Sequence, residues 1–276
     1  MKLPKKLKLS LLSPAKINYF FLILGKRSDN FHEIASLFQA IDLFDKLTIE
    51  ISESDQFTCN IKSLEKGSNS VKDALALFRE EFHINYKVKI HLEKNIPIQG
   101  GLGGGSSNAA TTLWGLNKLF RDEKDESSLL KLASKIGSDV PFFFSKGSAI
   151  CRGRGEIVEN VDIPDIKGWV IKPNFGVCTS SVYANIKNIN QKNKSATLLK
   201  EFQKGNFYFI NDLFDHAAKV QPKIKDIKKK YPSAHMTGSG SCFFTLEKPT
   251  NTKLIESIFS FSGISRKHLS WYSINL

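Results

Sequence analysis

Alternating apolar and polar positions mark strands in the first third of the chain. The segments LTIEIS (Leu47 to Ser52) and YKVKIHLE (Tyr86 to Glu93) place apolar side chains at every second position. This period predicts half-buried β-strands. The stretch from Leu7 to Leu24 is richer in apolar and aromatic residues and is interrupted at Pro14. Because proline cannot donate a backbone hydrogen bond, this stretch predicts two strands or one bent strand.

Three other segments predict helices. In SVKDALALFREEF (Ser70 to Phe82) the apolar residues recur near the helical period. The stretch from Ser106 to Phe120 predicts a second helix by its composition, and DESSLLKLASKIGSD predicts a shorter third one. Asp125 or Ser127 is a suitable cap for the start of that third helix, and Gly137 for its end.

The second half of the chain mixes both patterns. Residues 140–163, VPFFFSKGSAICRGRGEIVENVDI, predict strands joined by a glycine-rich turn, and GWVIKP predicts another strand. We expect helices around Tyr183, from about Ile210 to Tyr231 and in TKLIESIFSF, with a hairpin in HMTGSGSCFFTLE and a final strand. Helices and strands follow no regular βαβ order. The pattern therefore predicts an α+β protein of two domains, residues 1–160 and 161–276, rather than a doubly wound sheet.

Composition and net charge narrow the classes of function. With 276 residues, 41% of them apolar and 24% charged, the chain has the composition of an ordinary globular protein. Its 40 basic and 27 acidic side chains leave a formal charge of +13, which suits nucleic acid, an anionic membrane or a polyphosphate substrate. The basic clusters KLPKKLKL and KIKDIKKKY carry no interleaved aromatic residues and no zinc-finger, RRM or KH signature. We therefore expect no nucleic-acid partner.

The sequence indicates neither a membrane-spanning segment nor a metal site built from cysteines. The longest apolar run, YFFLILG, is far shorter than the roughly 20 residues that cross a bilayer. The four cysteines, Cys59, Cys151, Cys178 and Cys242, lie far apart, without a C-x-x-C pair or histidines at metal-binding spacing. The N-terminal segment MKLPKKLKLSLLS lacks a small-residue cleavage site. We expect a cytoplasmic protein with reduced thiols and no membrane partner, and the oligomeric state stays open.

A glycine run gives the strongest sign of chemistry. The stretch NIPIQGGLGGGSSNAATTLWGL has five glycines in the six positions from Gly100 to Gly105, directly before a predicted helix. Glycine loses much conformational freedom on folding, so such a run is costly unless the bare backbone is needed. Bare amides and the positive end of a helix dipole form a cradle for an anion, usually phosphate. The run matches neither the dinucleotide fingerprint, which has a glycine where this chain has Ser106, nor the Walker A pattern, whose lysine is missing. The alternative to an anion cradle is a flexible turn that is rich in glycine.

Three motifs in order resemble those of one superfamily. The string PIQGGLGGGSSNAA resembles the glycine motif of the GHMP kinases, SPAKIN (Ser13 to Asn18) resembles their first motif, and MTGSGSCFF (Met236 to Phe244) their third. The resemblance implies an N-terminal ribosomal-protein-S5-like domain that binds ATP and a C-terminal ferredoxin-like α+β domain. Within the superfamily, PAKINYFFLILGKRSDNFHEIASLFQAIDLFD and IGSDVPFFF resemble the branch that phosphorylates the 2-hydroxyl of a cytidine-diphosphate methylerythritol, in the non-mevalonate route to isoprenoids.

The resemblance implies two catalytic residues. Asp139 would be the general base that takes the proton of the attacking hydroxyl, although an aspartate is also a common turn residue. Lys16 would pair with Asp139 and steady the charge of the transferring phosphoryl group. From the residues alone, Lys16 stands in an apolar strand and needs an anionic partner if it is buried. A lysine at a strand edge that reaches water is the alternative.

The resemblance also assigns residues to the cytidine end of the substrate. Asn18, Phe31 and His32 match positions that hold this end, and Tyr183 would be a second aromatic wall unless it simply faces the core. Stacking on an aromatic ring and hydrogen bonding to the pyrimidine edge are the general means of holding a base. Phe31 replaces a usual tyrosine, which keeps the stacking but loses a hydroxyl contact. Asn30 replaces a usual glycine and tolerates the same left-handed backbone.

ATP and Mg²⁺ are the cofactors that the resemblance implies. Asn69 and Lys94 match positions near the adenine, although Asn69 would equally serve as the N-cap of the helix that begins at Ser70. Ser106 or Ser107 would contact the magnesium ion, and no carboxylate ligand can be assigned. Another kinase of the superfamily and a non-catalytic nucleotide or nucleic-acid binder are the competing functions. Further implied contacts with ATP are Pro97, Gly100, Gly101, Leu102, Gly103, Gly104 and Gly105, and those with substrate are Gly238, Ser239 and Gly240.

Overall fold

The computed structural model describes residues 8–67, 69–120, 125–187, 189, 193–250, 254–267 and 270–272. Helices and strands are mixed along the described chain, and the fold is of the α+β class. The first half contains β1 (Lys8–Lys26), β2 (His32–Ser52), β3 (Gln56–Cys59), α1 (Ser70–Phe82), β4 (Lys87–Glu93), α2 (Gly104–Leu119), α3 (Glu126–Ile136), β5 (Ser148–Gly153) and β6 (Ile157–Asn160), with 3₁₀ helices at Lys62–Leu64 and Pro141–Phe144.

The second half supplies the remaining elements. These are β7 (Lys167–Pro173), α4 (Thr179–Ala184), α5 (Ser195–Gln203), β8 (Ile210–Asn211), α6 (Phe214–Val220), α7 (Lys223–Lys230), β9 (His235–Met236), β10 (Phe243–Thr245) and β11 (Ile255–Ser262). Strands β7, β9, β10 and β11 form a four-stranded sheet of order β11-β7-β10-β9, in which every pair is antiparallel. Helices α4, α6 and α7 share one apolar cluster with this sheet.

The first sheet is built on the long antiparallel pair of β1 and β2. Their register shifts between Pro14 and Ala15 without ending the strand. Of the two alternatives, two strands or one bent strand, the single strand is therefore the correct one. The sheet runs in the order β3-β4-β2-β1-β8, and β5 pairs with both β2 and β6. Strand β8 comes from the second half of the chain and lies parallel to β1, so the two halves interlock.

Two apolar clusters hold the first sheet in place. Helices α1, α2 and α3 pack over it around fully buried residues such as Phe78, Leu113 and Phe142. Helix α2 is buried along most of its length, which fits its small and apolar composition. A second cluster joins Ile17 of β1 to Val170 and to other residues of the second sheet. The start of α2 and the middle of β1 are therefore fixed relative to each other.

Several predicted elements are confirmed. α1 begins and ends as predicted, β4 covers the alternating segment, and α3 begins after Asp125 and ends at Gly137. Asp125 is the N-cap of α3, since its side chain accepts a hydrogen bond from the amide of Ser128. The hairpin of β9 and β10 is also present. Asn30 has a φ of +67°, the left-handed backbone expected for it.

Three predicted elements are wrong. In TKLIESIFSF, predicted as a helix, residues 255–261 belong to strand β11, because they pair along β7. Periodicity alone does not separate a short buried strand from a helix. Thr252 and Lys253 of that segment lie outside the described residues. Pro141–Phe144 forms a buried 3₁₀ helix instead of a strand. The basic helix expected from Ile210 to Tyr231 is divided into β8, α6 and α7, with Pro222 as the N-cap of α7. Residues 270–272 form no strand, and residues 273–276 of the expected final strand lie outside the described residues.

The described helices also bear on membrane association. None of them is both long enough and apolar enough to span a bilayer.

Candidate active site

A cavity of about 940 Å³ lies where the glycine run, the end of α3, the start of α4 and the β9–β10 turn meet. Both halves of the chain line it: Lys16 and Asp139 come from the first half, and Tyr183 and Ser239 from the second. A volume of this size is at the upper end of that of small-molecule sites.

The glycine run brings bare backbone to this cavity. Gly101 and Gly103 have φ angles of +73° and +69°, in the left-handed region that favours glycine. A Cβ on Gly101 would lie 2.2 Å from the carbonyl oxygen of Thr237, and one on Gly103 would lie 2.9 Å from Cγ of Lys16. Helix α2 begins at Gly104, so the first amides of the helix, which have no intrahelical acceptor, belong to the same run. The run therefore has the geometry of an anion cradle.

Lys16 and Asp139 form an ion pair beside the cradle. Nζ of Lys16 lies 3.4 Å from Oδ2 of Asp139, and their side chains are 3% and 32% exposed. The ammonium group also donates a 2.5 Å hydrogen bond to Oδ1 of Asn18 and lies 4.5 Å from the centre of the Phe38 ring. The backbone amide of Lys16 donates to the carbonyl of Leu102, which joins β1 to the glycine run. The lysine is thus held in one position while Asp139 keeps an accessible carboxylate.

The segment GSDVP holds Asp139 between two anchored elements. Gly137 ends α3, and its amide donates to the carbonyl of Ala133. Pro141 begins the 3₁₀ helix, whose four side chains are all buried. Asp139 therefore stands on a three-residue connection between two anchored elements.

Asn18 lies behind Lys16 and does not line the cavity. Its side chain is 2% exposed, accepts a hydrogen bond from Lys16 and donates one to the hydroxyl of Ser36. The backbone amide of Asn18 donates to the hydroxyl of Thr237, in the third motif. Asn18 thus links the first motif to the third, and its hydrogen-bonding groups are used inside the protein.

Lys94 lies beside the start of α2 in a buried polar cluster. Its Nζ lies 2.6 Å from Oδ2 of Asp45 and donates to the carbonyl of Ile96. Oδ2 of Asp45 also accepts from Asn108 of α2, while Oδ1 accepts from the amides of Asn95 and Ile96. Burial lowers the pKa of Lys94, against the raising effect of the Asp45 carboxylate. The cluster fixes the chain that enters the glycine run.

Asn69 serves as the N-cap of α1. Its side-chain oxygen accepts hydrogen bonds from the amides of Val71 and Lys72. Asn69 also lines the cavity, so the cap and a contact with ligand are compatible in one residue.

Aromatic rings and a histidine surround another part of the cavity. Phe31 is 48% exposed, whereas His32 is 7% exposed and its Nε2 has no hydrogen-bond partner among the residues that the structure describes. The His32 ring lies 5.6 Å from that of Tyr183, centre to centre, at an interplanar angle of 35°. Burial lowers the pKa of His32, and the nearby charge of Lys26 adds to this effect. A buried imidazole nitrogen without a partner is unusual in a folded protein and marks a position for a ligand.

The β9–β10 turn closes against the glycine run. A Cβ on Gly238 would lie 2.8 Å from the carbonyl oxygen of Gly101, and the hydroxyl of Ser239 lies 2.7 Å from that of Thr179. Gly238 and Ser239 line the cavity. Gly240 does not; its amide donates to the carbonyl of Thr237 within the turn.

Most of the residues singled out from the sequence line this one cavity. Asn18, Ser107 and Gly240 do not: Ser107 is fully buried in α2, where its hydroxyl accepts a hydrogen bond from Ser13. The lining includes Lys16, Phe31, His32, Asn69, Lys94, Pro97, Gly100, Gly101, Leu102, Gly103, Gly104, Gly105, Ser106, Asp139, Tyr183, Gly238 and Ser239.

Sequence reasoning missed three charged residues in or beside the site. Lys26 and Arg154 line the cavity, and Asp45 holds Lys94 from behind. Arg154 stands between two glycines, in a turn that the sequence analysis treated only as a connection. A charged residue in so tight a turn was the available signal. For Asp45 no local signal exists, because its partners lie about 50 and 63 residues along the chain.

The described residues contain no group of three or more histidine, cysteine, aspartate or glutamate side chains placed to hold a metal ion. Magnesium in phosphoryl-transfer sites commonly takes only one or two protein ligands and completes its shell with phosphate oxygens and water. The hydroxyl of Ser106, which lines the cavity at the start of α2, suits such a site, whereas the buried Ser107 does not.

Known proteins match this chain along most of its length. The model of the GHMP kinases N terminal domain matches residues 69–147. The 4-diphosphocytidyl-2-C-methyl-D-erythritol kinase of Protochlamydia amoebophila is 40% identical over 273 residues, which cover 95% of this chain and 92% of that protein. The chloroplastic enzyme of the same name from Arabidopsis thaliana is 38% identical over 90% of this chain and 70% of that protein.

A solved structure agrees with these matches. A crystal structure of a 4-(cytidine 5'-diphospho)-2C-methyl-D-erythritol kinase superposes with a TM-score of 0.76 and 29% identity, over 92% of this chain and 99% of the other.

Proposed function

The chain belongs to the 4-diphosphocytidyl-2-C-methyl-D-erythritol kinases of the GHMP superfamily, and we propose that its cavity carries out the reaction of that family. The protein transfers the γ-phosphoryl group of ATP to the 2-hydroxyl of 4-(cytidine 5'-diphospho)-2-C-methyl-D-erythritol, a step towards isoprenoid precursors. The new bond joins the hydroxyl oxygen to the γ-phosphorus, the bond to the β-phosphate oxygen breaks, and ADP leaves. The observation that carries the proposal is the Lys16–Asp139 pair beside the glycine cradle.

The cradle and its charges suit two polyphosphate ligands. Among the described lining residues, Lys16, Lys26, Lys94 and Arg154 are cationic, and Asp139 is the one carboxylate. The amides of the glycine run and the start of α2 add fixed partial positive charge without side chains in the way. In phosphoryl transfer the rate comes mainly from positioning and from stabilising this charge. We assign the ATP phosphates to the glycine run.

Asp139 receives the proton that the attacking hydroxyl loses. Its carboxylate is accessible to a ligand, and the buried ammonium of Lys16 lies 3.4 Å away. As the phosphoryl group moves, the same ammonium is placed to stabilise negative charge on the transferring oxygens. Asn18 keeps Lys16 in place through its 2.5 Å hydrogen bond, so we assign Asn18 a positioning role rather than contact with cytidine.

The cytidine end of the substrate lies among Phe31, His32 and Tyr183. Phe31 offers an exposed ring for stacking, and the unpartnered Nε2 of His32 is available for one edge of the pyrimidine. His32 is held against the ring of Tyr183, which fits a role for that tyrosine as a second wall.

Mg²⁺ belongs at the phosphates, where bound metal would neutralise developing negative charge. Ser106 is the hydroxyl that we assign to it. We place the domain boundary between β6 and β7, close to residue 160, with an ATP-binding N-terminal domain and a C-terminal domain that completes the phosphate site.

A turnover assay tests the proposal. Purified protein with ATP, Mg²⁺ and the cytidine substrate should release ADP, and CDP or CMP should compete with the substrate but not with ATP. Asp139→Asn should lower turnover by roughly 10²- to 10⁴-fold while sparing ATP binding. Asp162→Asn, at an exposed position outside the cavity, is the matched control. A folded protein without turnover, or full activity in the Asp139 variant, would contradict the proposal.

A kinase for another hydroxyl acceptor is the competing function. Homoserine and mevalonate in place of the cytidine substrate test it directly. Turnover of either, unaffected by CDP, would assign the cavity to that acceptor.

A further inference from the structure

The turn between β5 and β6 places a charged side chain in the cavity. Arg154 lies between Gly153 and Gly155, which have φ angles of +69° and +128°, so the turn is tight. The amide of Arg154 donates to Oε2 of Glu156, and its guanidinium Nε lies 3.6 Å from Oε1 of the same residue. A second guanidinium nitrogen, Nη2, lies 3.4 Å from the carbonyl oxygen of Ser134, near the end of α3. The guanidinium is therefore anchored from behind.

On its other side the guanidinium lies on the ring of Phe31. Its carbon is 4.7 Å from the centre of that ring, within the range of a cation–π contact. A planar guanidinium stacks on an aromatic face in a way that an ammonium group does not. Phe31 stands on the exposed β1–β2 turn, where its own amide and carbonyl are held but its ring is 48% exposed.

The two turns are also tied through the side chain of Glu33. The amide of Gly153 donates a 3.0 Å hydrogen bond to Oε1 of Glu33, and the other oxygen of Glu33 accepts from Arg27. Arg27 stands in the turn that carries Phe31, and its amide donates to the Phe31 carbonyl. Glu33 thus sets the spacing between the turns, and the Arg154–Phe31 contact builds on that spacing.

We infer that Arg154 is a positioning residue of the cytidine site, which holds the Phe31 ring as a flat wall for the cytosine. The inference rests on the proposed function. An exposed phenylalanine has no polar group to fix its ring, so an unsupported ring would lose rotamer freedom when the base stacks on it. A ring already ordered by the guanidinium loses less rotamer freedom, so the free energy of binding is more favourable by that difference. Arg154 covers one face of the ring and leaves the opposite face for the base.

The same turn packs beside the proposed catalytic base. A Cβ on Gly155 would lie 3.2 Å from the carbonyl oxygen of Ser138 and 3.4 Å from Oδ1 of Asp139. The β5–β6 turn therefore supports the Phe31 ring and also contacts the segment that carries Asp139. Arg154 accordingly acts on where the substrate lies, and its loss should raise KM for the cytidine substrate more than it lowers kcat.

Steady-state kinetics of Arg154→Gln and Phe31→Leu, alone and combined, test the inference. Wild-type turnover of the cytidine substrate is measured first: its absence overturns the proposed function, whereas the variants decide the role of Arg154. We expect Arg154→Gln to raise KM for this substrate about two- to thirtyfold, the range of one cation–π contact, with KM for ATP unchanged. Arg154→Lys should restore only part of the loss. Arg152→Gln removes a neighbouring arginine that pairs with Glu159 outside the cavity and serves as the control.

Competition by cytidine and by CDP separates a contact through Phe31 from a contact with phosphate. If Arg154 acts through the ring, Arg154→Gln weakens both inhibitors by the same factor and has little further effect in the Phe31→Leu background. If Arg154 binds phosphate directly, Arg154→Gln weakens inhibition by CDP but not by cytidine, and the inference is overturned. Additive effects of the two substitutions, an unchanged KM for the cytidine substrate, or an equal rise of KM for ATP would also overturn it.

Discussion

Gly101 is one point where the glycine run touches the C-terminal half, and a single methyl group tests that contact. In Gly101→Ala the new Cβ would lie 2.2 Å from the carbonyl oxygen of Thr237 and 3.0 Å from the amide nitrogen of Gly240, both backbone atoms. Ordinary contact begins about 1 Å further out, so the β9–β10 turn must move away from the run by about that distance. The residue also has a φ of +73°, where a side chain is strained in any surroundings.

Both costs can be separated with a matched variant. Gly67 has a φ of +77°, but among the described residues no atom beyond its chain neighbours lies within 4 Å of its Cβ position, so Gly67→Ala reports the backbone strain. We expect that variant to lose about 1–2 kcal/mol of unfolding free energy. Gly101→Ala should lose about 1–3 kcal/mol more, the usual cost of overpacking a close contact.

Activity should separate the two variants further. A displacement of about 1 Å in groups that position a substrate costs about 10²-fold in rate, so Gly101→Ala should lose turnover to that extent while Gly67→Ala keeps it. Urea unfolding at equilibrium and steady-state turnover at saturating substrate provide both measurements. Equal stability and equal turnover in the two alanine variants would refute the close packing of the two glycine motifs.

Substitutions at three further positions test buried or capping polar groups, two of them beside the site and one, His235, outside its lining. Asp45→Asn leaves the buried ammonium of Lys94 without its carboxylate and should lower the free energy of unfolding by about 3–5 kcal/mol. Glu81→Gln, which breaks an exposed ion pair, is the control and should cost less than about 1 kcal/mol. Equal losses in urea unfolding would contradict this expectation. Asn69→Ala removes the cap of α1 and should cost about 1 kcal/mol, whereas Asn69→Asp keeps it; a raised KM for ATP in the aspartate variant would show a role beyond capping. Burial, and to a lesser extent the charge of Lys228, lowers the pKa of His235 to about 4. Between pH 6.5 and pH 4 the unfolded chain therefore takes up a proton at this residue, whereas the folded protein does not. The wild type should therefore lose about 1–2 kcal/mol from this group between pH 7 and pH 5, after allowance for its partial exposure, and His235→Phe should show a flatter pH profile in urea unfolding; parallel profiles would contradict the assignment.

Local sequence patterns were sufficient to predict the elements whose conformation depends mainly on residues nearby in the chain. Helix α1 carries both an apolar face and its own cap at Asn69, and α3 begins and ends at residues that cap helices in any context. The stretch that became β11 was misassigned because its conformation depends on pairing with β7, which lies more than 80 residues earlier. A short apolar stretch fits a buried strand or a helix, and only the partner decides between them.

The sequence by itself determined the chemistry available to this protein: a run of bare amides before a helix, a lysine in an apolar strand and an aspartate at the end of a helix. The tertiary structure decided which of these groups meet. It placed Lys16 against Asp139, withdrew Asn18 and Ser107 into the interior, and brought Arg154 onto the ring of Phe31. The reason is physical: backbone preference acts between neighbours in the chain, whereas ion pairs, ring contacts and buried hydrogen bonds depend on distances that only the packed core sets.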